Sequence, residues 1–331
     1  MISSTIKERN VGIDVLKFLA IILITNSHME LLYGKYNALA TGGAIGNALF
    51  FFCSGFTLFL KPINGIKDFP NWYKRRFNRI YPSVLAVAFV FCTFWDVHWD
   101  INHVILYGGR WFVRLIMVYY VFIYVIGVYF RDKLNWVLAF ASLVLLVWYY
   151  CMNFPFPFSL YAGDGASNKW FVFFIFMLFG TRMGTMTRTK QLDHQWRNLL
   201  FALLGVVVFY VMQGITLRYQ QFAFLHPFTF IPLLVWLYYI YLWADGAFMR
   251  SVYHTKWGYF LIRFIGGLCL EIYLIQNRLF TDALNFMFPL NLVIIFCIIV
   301  VAAYLLRCFA RFISQTFKDA PYDWKSMVSI Y

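Results

Sequence analysis

The stretch Val11-Gly12-Ile13-Asp14-Val15-Leu16-Lys17-Phe18-Leu19-Ala20-Ile21-Ile22-Leu23-Ile24-Thr25-Asn26-Ser27-His28-Met29-Glu30-Leu31-Leu32 decides the class of fold. It is longer than the ~20 predominantly apolar residues that carry a helix across ~30 Å of hydrocarbon. It follows a basic start, as the core of a secretory leader does. It outruns such a core, however, and passes through Ser27, His28 and Glu30 with no A-x-A-like cleavage site, so it reads as an uncleaved first span. Apolar runs of this kind recur to the far end of the chain, with short polar breaks between them. Of 331 residues, 62% are hydrophobic and 13% charged, against about half and about a quarter in a soluble domain. A soluble chain of this composition would lack the polar residues to cover its surface, so the bilayer is the solvent for most of it.

The expectation is an all-α, polytopic integral membrane protein with ten spans, at about 11–32, 44–60, 80–97, 111–130, 134–152, 169–186, 197–213, 222–244, 258–280 and 288–311. With the N-terminus inside, the outside segments hold only Lys35, Arg110, Lys169 and Arg218. The inside segments, beginning with Lys7 and Arg9 and including Lys61, Arg188 and Lys190, hold about five times as many basic residues. That bias puts both termini in the cytoplasm. It also accounts for most of a net charge of +14, which would otherwise suggest a nucleic-acid partner; attraction to anionic lipid headgroups takes up more of it, and nucleic acid is not expected. The longest outside loop, 153–168, and the tail, 313–331, are too short to be domains, so residues 1–331 read as one transmembrane domain. The six cysteines lie scattered without C-x-x-C spacing, which argues for neither a zinc site nor a disulfide framework. His98 and His103 have no further ligand at a metal spacing, and no metal is expected.

Charged groups within a span cost about 2.5–3.5 kcal/mol each near the bilayer centre, so those that remain usually face a cavity or a partner. The first span holds Asp14, Lys17, Asn26, His28 and Glu30. Lys17 and His28, eleven residues apart, return to the same helix face within ~20° and lie ~16 Å apart along the axis. Two readings stand at this point. Asp14 and Lys17 can pair at i, i+3 and snorkel to the inner interface while His28 and Glu30 reach outer headgroups. Alternatively, Lys17 is a fixed cation and His28 a general base, since imidazole can take up a proton near neutral pH.

Four stretches in order carry a resemblance. Lys17, ten residues and His28 are similar to the Arg/Lys-x10-His opening of the acyltransferase 3 family of membrane-bound O-acyltransferases. Phe51-Phe52-Cys53-Ser54-Gly55-Phe56 is similar to that family's Phe-Phe-x-Ser-Gly-Phe. Lys74-Arg75-Arg76-Phe77-Asn78-Arg79-Ile80-Tyr81-Pro82, at the end of what reads as the first cytoplasmic loop, is similar to its Arg-Arg-x-x-Arg-x-x-Pro. Leu270-Glu271-Ile272-Tyr273-Leu274-Ile275-Gln276 resembles its Ile-Tyr-Leu-x-His, with Gln276 in place of the His, so no proton-transfer role carries over to that position.

The resemblance implies transfer of an acyl group, most often acetyl, from cytoplasmic acyl-CoA to a hydroxyl of an extracytoplasmic glycan or sugar, in a bacterial cytoplasmic (inner) membrane. Lys74, Arg75, Arg76 and Arg79 are the expected contacts to the phosphates of CoA, although positive-inside topology alone also produces a basic loop. The thioester is expected to thread along the Lys17 stripe to His28, which deprotonates the acceptor or carries the acyl group. Glu271, mid-span and in need of a partner among Arg263, Arg114 and Lys17, is the second-tier catalytic candidate. Asp14, Ser54, Gly55 and Tyr273 are supporting residues, with Ser54 and Gly55 chiefly permitting close helix packing. The competing class is a secondary transporter or flippase with an intramembrane proton or substrate pathway. Against it stands the absence from the sequence of inverted repeats and of paired Gly/Pro-broken spans.

Overall fold

The computed structural model describes residues 10–60, 63, 65–95, 110–152, 159–161, 168–186 and 194–330. Lys7, Arg9, Lys61, Arg188, Lys190, His98 and His103 lie outside the described residues. Among those described there are helices and connecting turns but no strand. The principal helices are α1 (Val11–Asn26), α2 (Gly43–Leu58), α3 (Phe69–Phe94), α4 (Arg110–Tyr129), α5 (Leu134–Tyr150), α6 (Asn168–Thr185), α7 (Gln195–Arg218), α8 (Phe230–Ala244), α9 (Lys256–Gly267), α10 (Cys269–Ile275) and α11 (Leu290–Thr316).

Among the described residues, six helical stretches are long and apolar enough to cross a membrane, and up to eight if each of two bent pairs counts as one span. The protein is therefore a multi-pass membrane protein. Helices α2 and α6, in the places of two further expected spans, are 16 and 18 residues long. Outer helices turn apolar side chains away from the bundle, as Trp136, Phe140, Leu143 and Val147 of α5 do. In hydrocarbon this is the satisfied arrangement, because the backbone polar groups are already paired within each helix.

Three expectations about span shape are corrected. The first span is not one helix through 32: α1 ends at Asn26 and the chain bends by 63° into the short helices over Glu30–Leu39. Side-chain hydrogen bonds hold that turn, with Asn26 Nδ2 donating to the carbonyls of Leu39 and Thr41, both at 2.9 Å, and Ser27 Oγ donating to the Ile24 carbonyl at 2.8 Å. Second, the ninth span, expected as one run over 258–280, breaks after Gly266-Gly267, and α9 and α10 meet at 55°. Third, the basic run at 74–79 is not in a loop. Helix α3 begins at Phe69, with Pro70 in its first turn, and carries the run on its N-terminal half.

Helix α1 lies at the centre, packed by α2, α8, α9 and α10, while α11 closes the far side against α3 and α10. The tightest approach is α2 on α6. A methyl group at Gly55 would overlap the Met177 carbonyl, and one at Gly180 would overlap the Phe52 carbonyl. Small residues letting backbones touch are how helices associate where no hydrophobic force separates them from lipid.

Candidate active site

Helix geometry sorts the basic run on α3. Taking Arg76 as origin, Ser83 lies within about 20°, Arg79 at about 60°, Arg75 at about 100° and Lys74 at about 160°. The structure follows this arithmetic. Arg76, Arg79 and Ser83 line a cavity of about 350 Å³ between α1, α2, α3, α4, α9, α10 and α11. Lys74 and Arg75 are exposed and outside the lining, so of the four residues expected to hold phosphate, two reach the cavity.

From α1 the cavity receives Lys17, half-buried, and from α2 it receives Cys53, Ser54 and Thr57. Ser54 Oγ lies 3.2 Å from the Tyr120 hydroxyl, which is also in the lining. Phe50 and Phe112 meet edge to face at 4.7 Å in its apolar wall. The break between α9 and α10 supplies Gly266, Gly267, Cys269 and Glu271, and the Cys269 thiol donates to the Lys17 carbonyl at 3.2 Å. Gly55 stays out of the lining, in the α2/α6 contact.

Glu271 does take a partner, but none of the three expected. Arg307, on α11, places Nη2 2.9 Å from Glu271 Oε2, and Ser83 Oγ donates to Oε1 at 2.8 Å. The two side chains are 17% and 7% exposed, so the charges are largely removed from water and each needs the other. Arg307 Nη2 also donates to the carbonyl of Gly267. The sequence alone marks Arg307 and Arg311 only as two of the basic residues expected on the inside. Their i, i+4 spacing with Ser314 at i+7, a polar stripe at the end of an apolar helix, was the available signal.

Among the described residues the lining thus carries five cationic side chains, Lys17, Arg76, Arg79, Arg307 and Arg311, against one carboxylate. Arg76 stacks its guanidinium over the Trp72 ring at 5.1 Å, and its Nε is buried with no hydrogen-bond partner. A buried, unsatisfied guanidinium nitrogen is costly unless something anionic fills the space beside it.

The remaining candidates lie elsewhere. Asp14 is buried near the start of α1 and accepts from the Tyr253 hydroxyl at 3.0 Å. Tyr273 is buried against Phe112, with centroids 5.1 Å apart. His28 is exposed in the turn after α1 and is not in the cavity lining. Its backbone N–H donates to Thr25, whose hydroxyl donates at 2.8 Å to Oε1 of the fully buried Gln276. Trp111 is stacked on Phe173, with the Lys169 ammonium 4.5 Å from its ring centroid. Among the described residues, no three His, Cys, Asp or Glu side chains group to hold a metal ion.

A family model described as an acyltransferase domain, that of acyltransferase 3, matches residues 10–308. No curated protein and no solved structure matches the chain.

Proposed function

The chain belongs to the acyltransferase 3 family and is a membrane acyltransferase, and from that premise we propose that it moves an acyl group, acetyl first among them, from cytoplasmic acyl-CoA to a hydroxyl of an extracytoplasmic glycan or sugar. One observation carries the reading: a cavity that gathers five cations and one carboxylate together with apolar lining residues that include Phe50 and Phe112. CoA is a polyanion with a long, thin arm. Its phosphates suit Arg76 and Arg79, where charge-assisted contacts are the strong kind, and its arm suits the apolar side chains that line the cavity with Lys17.

In this reading the chain makes ten spans with both ends cytoplasmic, in a bacterial cytoplasmic membrane, and residues 1–331 act as one domain. The thioester passes Lys17 and reaches His28, in the turn just beyond the end of α1. The His28 imidazole accepts the proton of the acceptor hydroxyl as its oxygen attacks the thioester carbonyl. The carbon–sulfur bond breaks, and the proton passes to the CoA thiolate, giving the ester and free CoA thiol. Such proton transfer is worth ~10²–10⁴ in rate. Lys17 steadies the arm as a point charge. Glu271, held by Arg307 and Ser83, keeps the inner wall in place.

A second reading, a secondary transporter or flippase, draws on the two broken spans, since such breaks build transporter sites. Purified protein with acetyl-CoA separates the two. Release of free CoA thiol, lost in Lys17→Ala and His28→Ala variants that remain folded, is the expected result. Undiminished transfer in either variant overturns the residue assignment, and no turnover or exchange of acetyl-CoA by the wild type overturns the donor. The acceptor is read by comparing the O-acetyl content of surface glycans with and without the gene.

A further inference from the structure

Two stripes of α11 share one residue. Arg307, Arg311 and Ser314 face the cavity. Tyr304, Arg311 and Gln315, separated by seven and eleven residues and therefore within about 20° of one face, receive the segment after the helix. That segment, 317–330, turns back as a hook. The Arg311 Nη1 donates to the carbonyls of Ser326 at 3.2 Å and Met327 at 3.1 Å, and to that of Ser329. The Tyr304 hydroxyl donates to the Val328 carbonyl at 2.6 Å. Gln315 Oε1 accepts from the Asp323 N–H at 2.8 Å, and its Nε2 donates to Ser326 Oγ at 3.0 Å. The Phe312 and Tyr322 rings stack at 5.5 Å, and Met327 is buried.

The hook therefore fixes one nitrogen of a cavity arginine with main-chain carbonyls. A guanidinium carries five N–H donors. The hook uses those of Nη1, and among the described residues Nε and Nη2 make no hydrogen bond. That free pair is the edge that grips a phosphate or carboxylate with two parallel bonds. Arg76, on α3 in the same lining, presents its own unsatisfied buried Nε. Both Arg311 and the hook lie beyond residue 308, where the family match ends.

We propose that Arg311 is a phosphate-binding residue of the donor site and that the hook positions it, so that α3 and α11 grip the phosphates of an acyl nucleotide carrier from two sides. This rests on the acyl-CoA reading above. A held arginine binds without first losing its rotamer freedom, so releasing the hook weakens binding by a modest factor, whereas removing the guanidinium weakens it by a larger one.

The test measures binding of desulfo-CoA, of adenosine 3′,5′-bisphosphate and of pantetheine to the purified protein in micelles. Arg311→Ala is expected to lower affinity for the two phosphate-bearing probes at least ~10-fold. A chain lacking residues 322–331 is expected to lower it ~3- to 10-fold, and Arg311→Lys to recover part of the loss. Pantetheine binding should not change. Should the truncated chain fail to fold, the Tyr304→Phe/Gln315→Ala double variant replaces it, with the same direction expected. Wild-type binding of desulfo-CoA that is unaltered in Arg311→Ala or in the hook variants overturns this proposal alone. Failure of the wild type to bind desulfo-CoA overturns the donor reading and this proposal with it. Equal loss of pantetheine binding marks a general structural defect and also overturns the positioning role.

Discussion

Removing Arg307 while leaving Glu271 in place is expected to be among the more damaging single changes in this protein. At 2.9 Å and an effective dielectric constant near 20, the pair attracts with about 6 kcal/mol. Much of that offsets the desolvation of both charges, so the net worth of the intact pair is far smaller. Deleting one partner is different, because the buried carboxylate then keeps its desolvation penalty without its counterion, at about 3–5 kcal/mol. The Ser83 hydroxyl remains on Oε1 and the cavity admits some water, which puts Arg307→Ala at about 3 kcal/mol. Glu271→Gln should cost less, since the amide still accepts from Ser83. In the Arg307→Ala/Glu271→Gln double variant the stranded charge is gone, and a coupling of about 2 kcal/mol should return. The assay is a double-mutant cycle by thermal or denaturant unfolding in one detergent, at fixed pH and salt. A double variant no more stable than Arg307→Ala alone would show that the ion pair is not what holds α10 against α11, and the reasoning would fall.

The face arithmetic on α3 predicts a split within one basic run: Arg76→Ala and Arg79→Ala raise the donor KM ~10- to 100-fold, the worth of a hydrogen bond to a charged group, while Lys74→Ala and Arg75→Ala change it less than ~3-fold. Initial rates against acetyl-CoA concentration measure this, and equal effects at all four positions would refute it. Gly55→Leu should prevent the α2/α6 contact and lower the yield of folded, monodisperse protein sharply, while Ser54→Gly should leave the yield near wild type; size-exclusion profiles decide. Acid should loosen the hook. The backbone N–H and hydroxyl of Ser326 hydrogen-bond to Asp323 and hold its carboxyl below the ordinary carboxylate value. This contribution is complete above the unfolded value near ~4 and is lost as pH falls through the lowered folded one. Trp324 fluorescence should therefore shift only below pH ~4, and Asp323→Asn should flatten that transition.

How far the sequence could be read depended on where each residue's partner lay. Apolar runs and the four motifs are local, and they gave the all-helical membrane class and named the family from positions 17, 28, 51–56, 74–82 and 270–276. The face on which Arg76 sits is also local, but only once α3 is known to extend back to Phe69; read as a loop, the run has no faces, and all four cations look equivalent. The Glu271–Arg307 pair joins residues 36 apart, just after a break that the sequence marks only with Gly266-Gly267. Since a glycine pair is equally compatible with close packing, the bend could not be told from it. The donation from Thr25 to Gln276 spans 251 positions, and no periodicity carries that kind of information.

The carbonyl of Gly267, set free by the break after α9, receives Arg307. An acceptor made of main chain cannot be deleted by exchanging a side chain; it persists through any substitution that leaves the bend intact. The inner wall is thus anchored partly by shape rather than by residue identity. Repairing the break, by a replacement that lets α9 run straight into α10, would disarm the site without touching any charged group in it.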